Sequence, residues 1–296
     1  PKEIGGQGLP FLDYVYINEV VGRSGVAMVA LGTHSLQDSI MLNEFADTEW
    51  RDKYLKPLVD GEIFPSFGMT EPDVASSDPT QLKTQAVLEG DTWVINGRKW
   101  FTSGADRAAY TTVMCKTETD VPAHDAFSMI IVPTNTPDVN ILRDVPTMGE
   151  PDHRTGEPGG HAEILYNDVR VPFENVVGGE DGIGQGFSLA QKRLGPGRIH
   201  HAMRWLGQSR RAFDMLCERS LTRYTHGSIL AEKQMVQDWI AESYAEMQAA
   251  RLLTLQAAWK MDQLHAAGKH YSDARVEIGV IKFWGARVMY NVIDRA

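Results

Sequence analysis

Residues able to do chemistry gather in three short stretches. The first is FGMTEPDVASSDP, Phe67–Pro79, where Glu71, Asp73, Ser76, Ser77 and Asp78 stand among small residues, with Thr70 and Pro72 on either side of Glu71. No helix or strand accommodates that composition, so the chain must bend here with many backbone and hydroxyl donors exposed. The second is KWFTSGAD, Lys99–Asp106, two large aromatics followed by Thr102 and Ser103. Such a pair closes a β-core, or forms an aromatic wall with a hydroxyl at a strand end, where planar heterocycles dock; the residues alone leave both readings open. The third is RLGPGRIHHAMR, Arg193–Arg204. Pro196 suits the first turn of a helix, so a helix is expected to start or kink there. Arg198, His201 and Trp205 then share a face, which fits an anion site at free helix amides, or a solvated charged face.

Other patterns carry less. GEDGIGQG, Gly179–Gly186, is G-x-G-x-G without the strand–turn–helix setting of a dinucleotide fingerprint, and reads as a strand-to-helix connection. His153 and His161 share a loop and His200 and His201 are adjacent, but no H-E-x-x-H or Cys/His cluster exists, so no metal site is expected. Without a G-x-S-x-G elbow, a hydrolase triad has no anchor.

Three zones must position these stretches. From Phe11 to about Gly61 the pattern is helical: Asp13 is placed to cap one helix, Val26–Met41 is apolar at helical spacing, and Asp47 opens a segment carrying Trp50, Tyr54 and Leu58. From about Thr84 to Val171 the period falls toward two, with a hairpin about Gly90-Asp91 and strands in YTTVMCK, FSMIIV and EILYNDVRV, separated by TNTPD and GEPDHRTGEPGG. Five or so such strands suggest a small antiparallel barrel or sandwich. From Gly186 on, three long helical segments follow. The order predicts an α+β protein of three units: 1–62 helical, 63–175 β, 176–296 helical.

The chain has 296 residues, 43% of them hydrophobic, enough for a sizeable core, and its net charge of -10 argues against non-specific nucleic-acid binding. Cys115 and Cys217 are far apart and are expected to be buried thiols, not a disulfide. No apolar run reaches membrane-spanning length, the best, Val20–Leu31, being broken by Arg23 and Ser24. The opening on Pro1 and the close on Asp294-Arg295-Ala296 within a helical pattern lead us to expect further sequence at one or both ends.

Taken in order, GGQGL, EVVGRSGVAMVALG, WRDKYLKPLVDGE, FGMTEPDVASSD, INGRKWFTSG, NDVRVPFENVVG and GQGFSLAQ resemble the acyl-CoA dehydrogenase family over nearly the whole chain. RLGPGRIHHAMR and TEPDVASSD are most similar to the branch of family members ten and eleven and their bacterial relatives. The resemblance implies a helical domain, a β-domain and a second helical bundle, with both helical parts incomplete here. It implies FAD as cofactor, cradled by Phe67, Met69, Thr70, Ser76 and Ser77, with Trp100, Phe101 and Thr102 on the next loop and the Thr102 hydroxyl near flavin N5. Ser77, matched through its pair with Asp78, and Gly195, Pro196, Gly197 and Arg198 are implied to contact the acyl-CoA. Arg223, Thr225 and Gln234 match positions that reach the FAD of a neighbouring subunit, which implies a homodimer or homotetramer.

The chemistry implied is α,β-dehydrogenation of an acyl-CoA thioester, as in fatty-acid β-oxidation, with electrons passed to an electron-transferring flavoprotein. A carboxylate takes the α-proton; in most of the family it lies on a loop expected beyond Ala296, and the alternative position, just before Arg198, is Gly197. An oxidase reoxidised by oxygen is the enzymatic alternative. A degenerate binding module is another, against which Thr70, Trp100, Thr102 and Arg198 speak. The cationic group Arg198, His200, His201 and Arg204 suits CoA phosphates, or a polar or even phosphorylated acyl chain. The expected compartment is the cytoplasm in a bacterium, and the mitochondrion or peroxisome in a eukaryote.

Overall fold

A computed structural model describes residues 2–31, 33–45, 48–148, 160–269 and 271–296. Asp47, His153 and most of the GEPDHRTGEPGG turn lie outside the described residues. The chain divides into two compact units, one made of Pro1–Thr33 with Leu194–Ala296, the other of His34–Arg193.

The first unit is helical. Its elements are α1 (Phe11–Gly22), α2 (Gly25–Ala30), most of α6 (Gly186–Thr222), a short hairpin of β8 (Tyr224–Thr225) and β9 (Ser228–Ile229), α7 (Gln234–Ala266) and α8 (Arg275–Arg295). Val15, Ile199, Met203, Leu206, Met247, Ala257, Ile281 and Val288 form its core. On α7, Val236 and Met247 are buried, as the 3.6-residue spacing predicts. Asp13 does not cap α1: its Ncap is Pro10, which has no side-chain acceptor, and the Phe11 and Leu12 amides instead donate to the two carboxylate oxygens of Asp262 on α7, at 2.8 and 2.9 Å. Gly22 and Gly207 let α1 and α6 meet backbone to backbone; a Cβ on Gly207 would lie 2.1 Å from the Glu19 carbonyl oxygen.

The second unit begins with α3 (Thr33–Phe45), α4 (Thr48–Trp50), a π-helical turn at Arg51–Leu55, and α5 (Lys56–Val59). A seven-stranded sheet follows, formed by β1 (Pro65–Gly68), β2 (Gln85–Glu89), β3 (Thr92–Ser103), β4 (Tyr110–Lys116), β5 (Phe127–Pro133), β6 (Val139–Asp144) and β7 (His161–Pro172). Strands run in the order β1-β4-β2-β3-β7-β6, with β5 also on β4. Pairings are antiparallel except two made by β4, with β1 and with the first residue of β2. β1 and β6 add to the strands legible in the sequence: β1 is too short to show a period, and β6 alternates only partly. The hairpin at Gly90 has the expected left-handed glycine, φ 65°. Ile95, Val113, Cys115, Ile130, Val132, Ile164, Tyr166 and Val171 make the core.

Candidate functional site

The sheet brings the first two chemical stretches together. β1 pairs with β4 through Gly68 and then leaves the sheet, so Met69 and Thr70 pass beside the end of β3. Three hydrogen bonds join the segments: Ser66 Oγ to the Ser103 carbonyl at 2.9 Å, Lys99 Nζ to the Met69 carbonyl at 3.0 Å, and the Trp100 amide to the Thr70 carbonyl at 3.0 Å. Phe67, Met69, Thr70, Trp100, Phe101 and Thr102 thus form one locality, separated by about 30 residues in sequence.

At the end of β3 the pairing with β7 slips between Lys99 and Thr102. This bulge puts Phe101 at φ 51°, a left-handed conformation that a bulky side chain rarely adopts. Its ring lies 4.8 Å from that of Trp100 and is 41% exposed. Backbone strain of this kind costs about 1–3 kcal/mol and gathers at ligand sites.

Two donors of the bulge are left unused. Trp100 Nε1 and Thr102 Oγ1 are buried and find no hydrogen-bond partner among the described residues. A buried unsatisfied polar group costs about 1–3 kcal/mol. Indole N–H only donates and a hydroxyl can do either, so both suit a flat ring with carbonyl oxygens and ring nitrogens along its edge. An isoalloxazine is such a ring, and these residues fit it.

The rest of the acidic loop is self-supporting. Ser76 Oγ closes a turn on Glu71, accepting from its amide at 3.0 Å and donating to its carbonyl at 3.2 Å. Asp78 caps the 3₁₀ turn Pro79–Gln81, accepting from Thr80 N and, at 2.6 Å, Thr80 Oγ1; the Thr80 hydroxyl above all holds its carboxyl below the usual range. Ser77 is exposed.

A buried ion pair lies beneath. Glu71 Oε1 and Lys99 Nζ are 2.8 Å apart, with side chains 4% and 0% exposed. Glu71 Oε1 also accepts from the Thr84 amide, and Oε2 from the Lys83 amide at 2.7 Å. Burial alone pushes the Glu71 carboxyl up, but the Lys99 charge and these hydrogen bonds outweigh it and hold it below its ordinary value. The same burial pulls Lys99 down, against the pull of Glu71. Lys99 is fully buried on a strand that also buries Trp93, Val94 and Ile95, and a cation in such surroundings must be met by an anion. Gly97 makes room: at φ 155°, its Cβ would lie 2.4 Å from Thr84 Oγ1 and 2.6 Å from Thr84 Cα.

A second buried set supports Phe67. Arg193 Nε meets Asp38 Oδ1 at 2.7 Å, Tyr110 donates to Asp38 Oδ2 at 3.3 Å, and the Arg193 guanidinium lies 4.3 Å from the Phe67 ring centre. Nothing in the sequence pattern links these four positions, which are brought together only by folding.

The third stretch lies in the helical unit, apart from one residue. Pro196 does not begin a helix: α6 runs unbroken from Gly186 to Thr222 with Pro196 inside it. A proline there forfeits one backbone hydrogen bond, about 3 kcal/mol, which the buried apolar face of α6 offsets. Free helix-start amides are therefore not available at Gly195–Arg198, and the expected anion site loses that support. Gly195 and Gly197 are buried, while Pro196 and Arg198 are half-buried.

The cationic group also divides. His200 is fully buried between the Tyr14 ring, edge-on at 5.9 Å, and His201, and neither of its ring nitrogens has a partner among the described residues. Burial, helped by His201 and Arg204, depresses its pKa from 6.5 to about 2, so it is neutral and adds no charge. Arg204 is buried and donates to Asn18 Oδ1 at 2.7 Å. Arg223 and Gln234 are exposed and Thr225 is half-buried, all about the β8–β9 hairpin and the start of α7. Cys115 and Cys217 are free; Cys115 is buried, its thiol pushed up to about 12, while Cys217 is only half-buried. No helix among the described residues is long and apolar enough to cross a membrane.

Models of the acyl-CoA dehydrogenase N-terminal, middle and C-terminal domains match residues 1–62, 66–159 and 184–296. The chain is 43% identical over 294 residues to "Probable acyl-CoA dehydrogenase FadE2" of Mycobacterium tuberculosis, covering 98% of this chain and 69% of that one. It is 40% identical to human "Acyl-CoA dehydrogenase family member 11", over 98% of this chain but 36% of the relative's length. The solved acyl-CoA dehydrogenase of Geobacillus kaustophilus superposes with a TM-score of 0.84 at 27% identity, over 99% of this chain and 73% of that one. The chain belongs to the acyl-CoA dehydrogenase family, the FAD-dependent oxidoreductases that act on CH–CH bonds.

Proposed function

We propose that this chain carries out the α,β-dehydrogenation of an acyl-CoA thioester to the 2-enoyl-CoA, with electrons passed on to an electron-transferring flavoprotein. The observation that carries this reading is the pair of unused buried donors, Trp100 Nε1 and Thr102 Oγ1, on a strained bulge tied to the Met69–Thr70 loop. FAD, when bound, supplies the hydride acceptor for the substrate β-carbon.

The chain's own residues bind and orient. Thr102 Oγ1 and Trp100 Nε1 would donate to the flavin, Thr70 and its neighbours would help to hold it, and the Trp100 and Phe101 rings would help to exclude water. Excluding water strengthens each of these bonds. Ser77, exposed on the same loop, is assigned to the acyl-CoA. Gly195, Pro196, Gly197 and Arg198 are assigned to the substrate as well, Arg198 supplying the charge. Gly197 has no side chain, so proton abstraction from the α-carbon falls to a carboxylate elsewhere. Exposed Arg223 and Gln234, with Thr225, are assigned to the flavin of a second subunit in a homodimer or homotetramer.

The test is an anaerobic absorbance titration of the purified full-length protein with a panel of acyl-CoAs. A flavin band that bleaches with one of them is the expected outcome and begins to define the acyl group. A folded preparation without flavin, or a flavin that no acyl-CoA bleaches, would count against the reading. Rapid peroxide formation on turnover, without added acceptor, would replace the flavoprotein partner by oxygen.

A further inference from the structure

We infer that the buried Glu71–Lys99 pair is a positioning device for the flavin: it fixes the distance between the Thr70 loop and the Trp100–Thr102 bulge. This rests on the reading that those two loops hold FAD.

Burying two charges is seldom a route to stability, because desolvation takes back most of what their attraction gives, and an apolar pair of similar volume often serves a core as well. A buried pair therefore calls for another role, and the geometry supplies one. Its polar atoms tie together the Lys83–Thr84 segment, the end of β3 and the Met69–Thr70 loop. Glu71 Oε2 takes the Lys83 amide, Oε1 takes the Thr84 amide and Lys99 Nζ, and Nζ reaches across to the Met69 carbonyl. Lys99 is the last residue before the register slip of β3, and the next residue, Trp100, donates its amide to Thr70. The strained φ of Phe101 begins one residue later.

The pair is thus a crosspiece between the two loops at the root of the bulge. Side chains restrain the bulge little: the Trp100 and Thr102 side-chain donors find no partner among the described residues, and Phe101 is 41% exposed. Without the crosspiece, Lys99 leaves its place, the left-handed Phe101 relaxes, and the two donors no longer face one ring edge. Glu71 and Lys99 touch neither substrate nor reacting atoms; they act through Thr70, Trp100 and Thr102.

The experiment is a fluorescence titration of the apoprotein, full-length, with FAD, on Lys99→Met, Glu71→Gln and Lys99→Arg, with far-UV circular dichroism and apoprotein Tm measured alongside. In both Lys99→Met and Glu71→Gln the Kd for FAD is expected to rise about ten-fold or more, as for the loss of one or two hydrogen bonds, and the fine structure of the visible flavin band to blur. Lys99→Arg, which keeps the charge and a donor, is expected to recover most of the affinity. A pair serving only the core would lower Tm and leave Kd and band shape as in the parent in the folded variants, and that result would overturn the inference. If Lys99→Met does not fold, the isosteric Glu71→Gln carries the test; failure of both to fold assigns the pair to the core and overturns it equally. A parent protein that takes up no FAD would fail before any substitution is made, and would remove the underlying reading together with this one.

Discussion

At the scale of single residues, Thr102 shows how a site can be set against stability. Its hydroxyl is fully buried without a partner among the described residues, so the folded apoprotein bears a desolvation penalty that a ligand removes. Thr102→Val keeps the shape and deletes the orphan. Apoprotein stability should hold or rise by about 1 kcal/mol, while FAD binding weakens several-fold. Urea unfolding of the apoprotein and an FAD titration measure the two; a loss of stability with unchanged FAD binding would make the hydroxyl part of the core. Trp100 and Thr102 stand out in sequence because an aromatic pair followed by hydroxyls is unusual at a strand end. Arg193 does not, since its contact with Phe67 joins positions that no local pattern relates.

At the scale of elements, helix ends divide legible from illegible features. Asp13 lies in the first turn of α1, yet the Phe11 and Leu12 amides bond Asp262, about 250 residues away in sequence. A carboxylate that meets two free amides at once satisfies more of the helix start than an Ncap side chain does, and also faces the positive end of the dipole. Asp262→Ala should therefore cost about 1–2 kcal/mol, and Asp13→Ala a few tenths at most. Thermal melts of the two variants compare them directly, and equal losses would remove the cross-helix cap. As a helix start, Pro196 misleads for a related reason. Local propensity favours a helix start there, but the apolar stripe that places Ile199, Met203 and Leu206 in the core carries α6 through it.

At the scale of the whole molecule, buried titratable groups make stability depend on pH. His200 has a folded pKa of about 2 against 6.5 when unfolded, so between those values the unfolded chain binds the extra proton. Its contribution is complete above about pH 6.5 and is lost as pH falls below that, at up to about 1.4 kcal/mol per pH unit. Glu71 acts in the same direction at lower pH: its folded value lies below 4.5, so its contribution is present above 4.5 and lost as pH falls through the folded value. Tm of the apoprotein should fall steadily on acidification from pH 7. His200→Leu, which cannot titrate and leaves no unsatisfied ring nitrogen, should flatten the fall between pH 6.5 and 4.5. Parallel curves for parent and variant would show that His200 does not drive it.

The sequence by itself determined what is local and periodic. The 3.6 and 2.0 periods separate helix from strand, the Gly90-Asp91 turn sets the hairpin, and the ordered motifs from GGQGL to GQGFSLAQ identify the family. Which loops share a site was legible only through that resemblance. Tertiary structure decided the rest. Whether a charged residue is a solvated face, a ligand contact or a buried strut depends on what lies across from it. Glu71 stands in sequence only as one of several polar residues of a loop, yet it lies buried against Lys99. His200 reads as a cation, yet burial between Tyr14 and His201 keeps it neutral. Desolvation and partners are properties of the packed interior, set by residues far along the chain, and no spacing along the sequence encodes them.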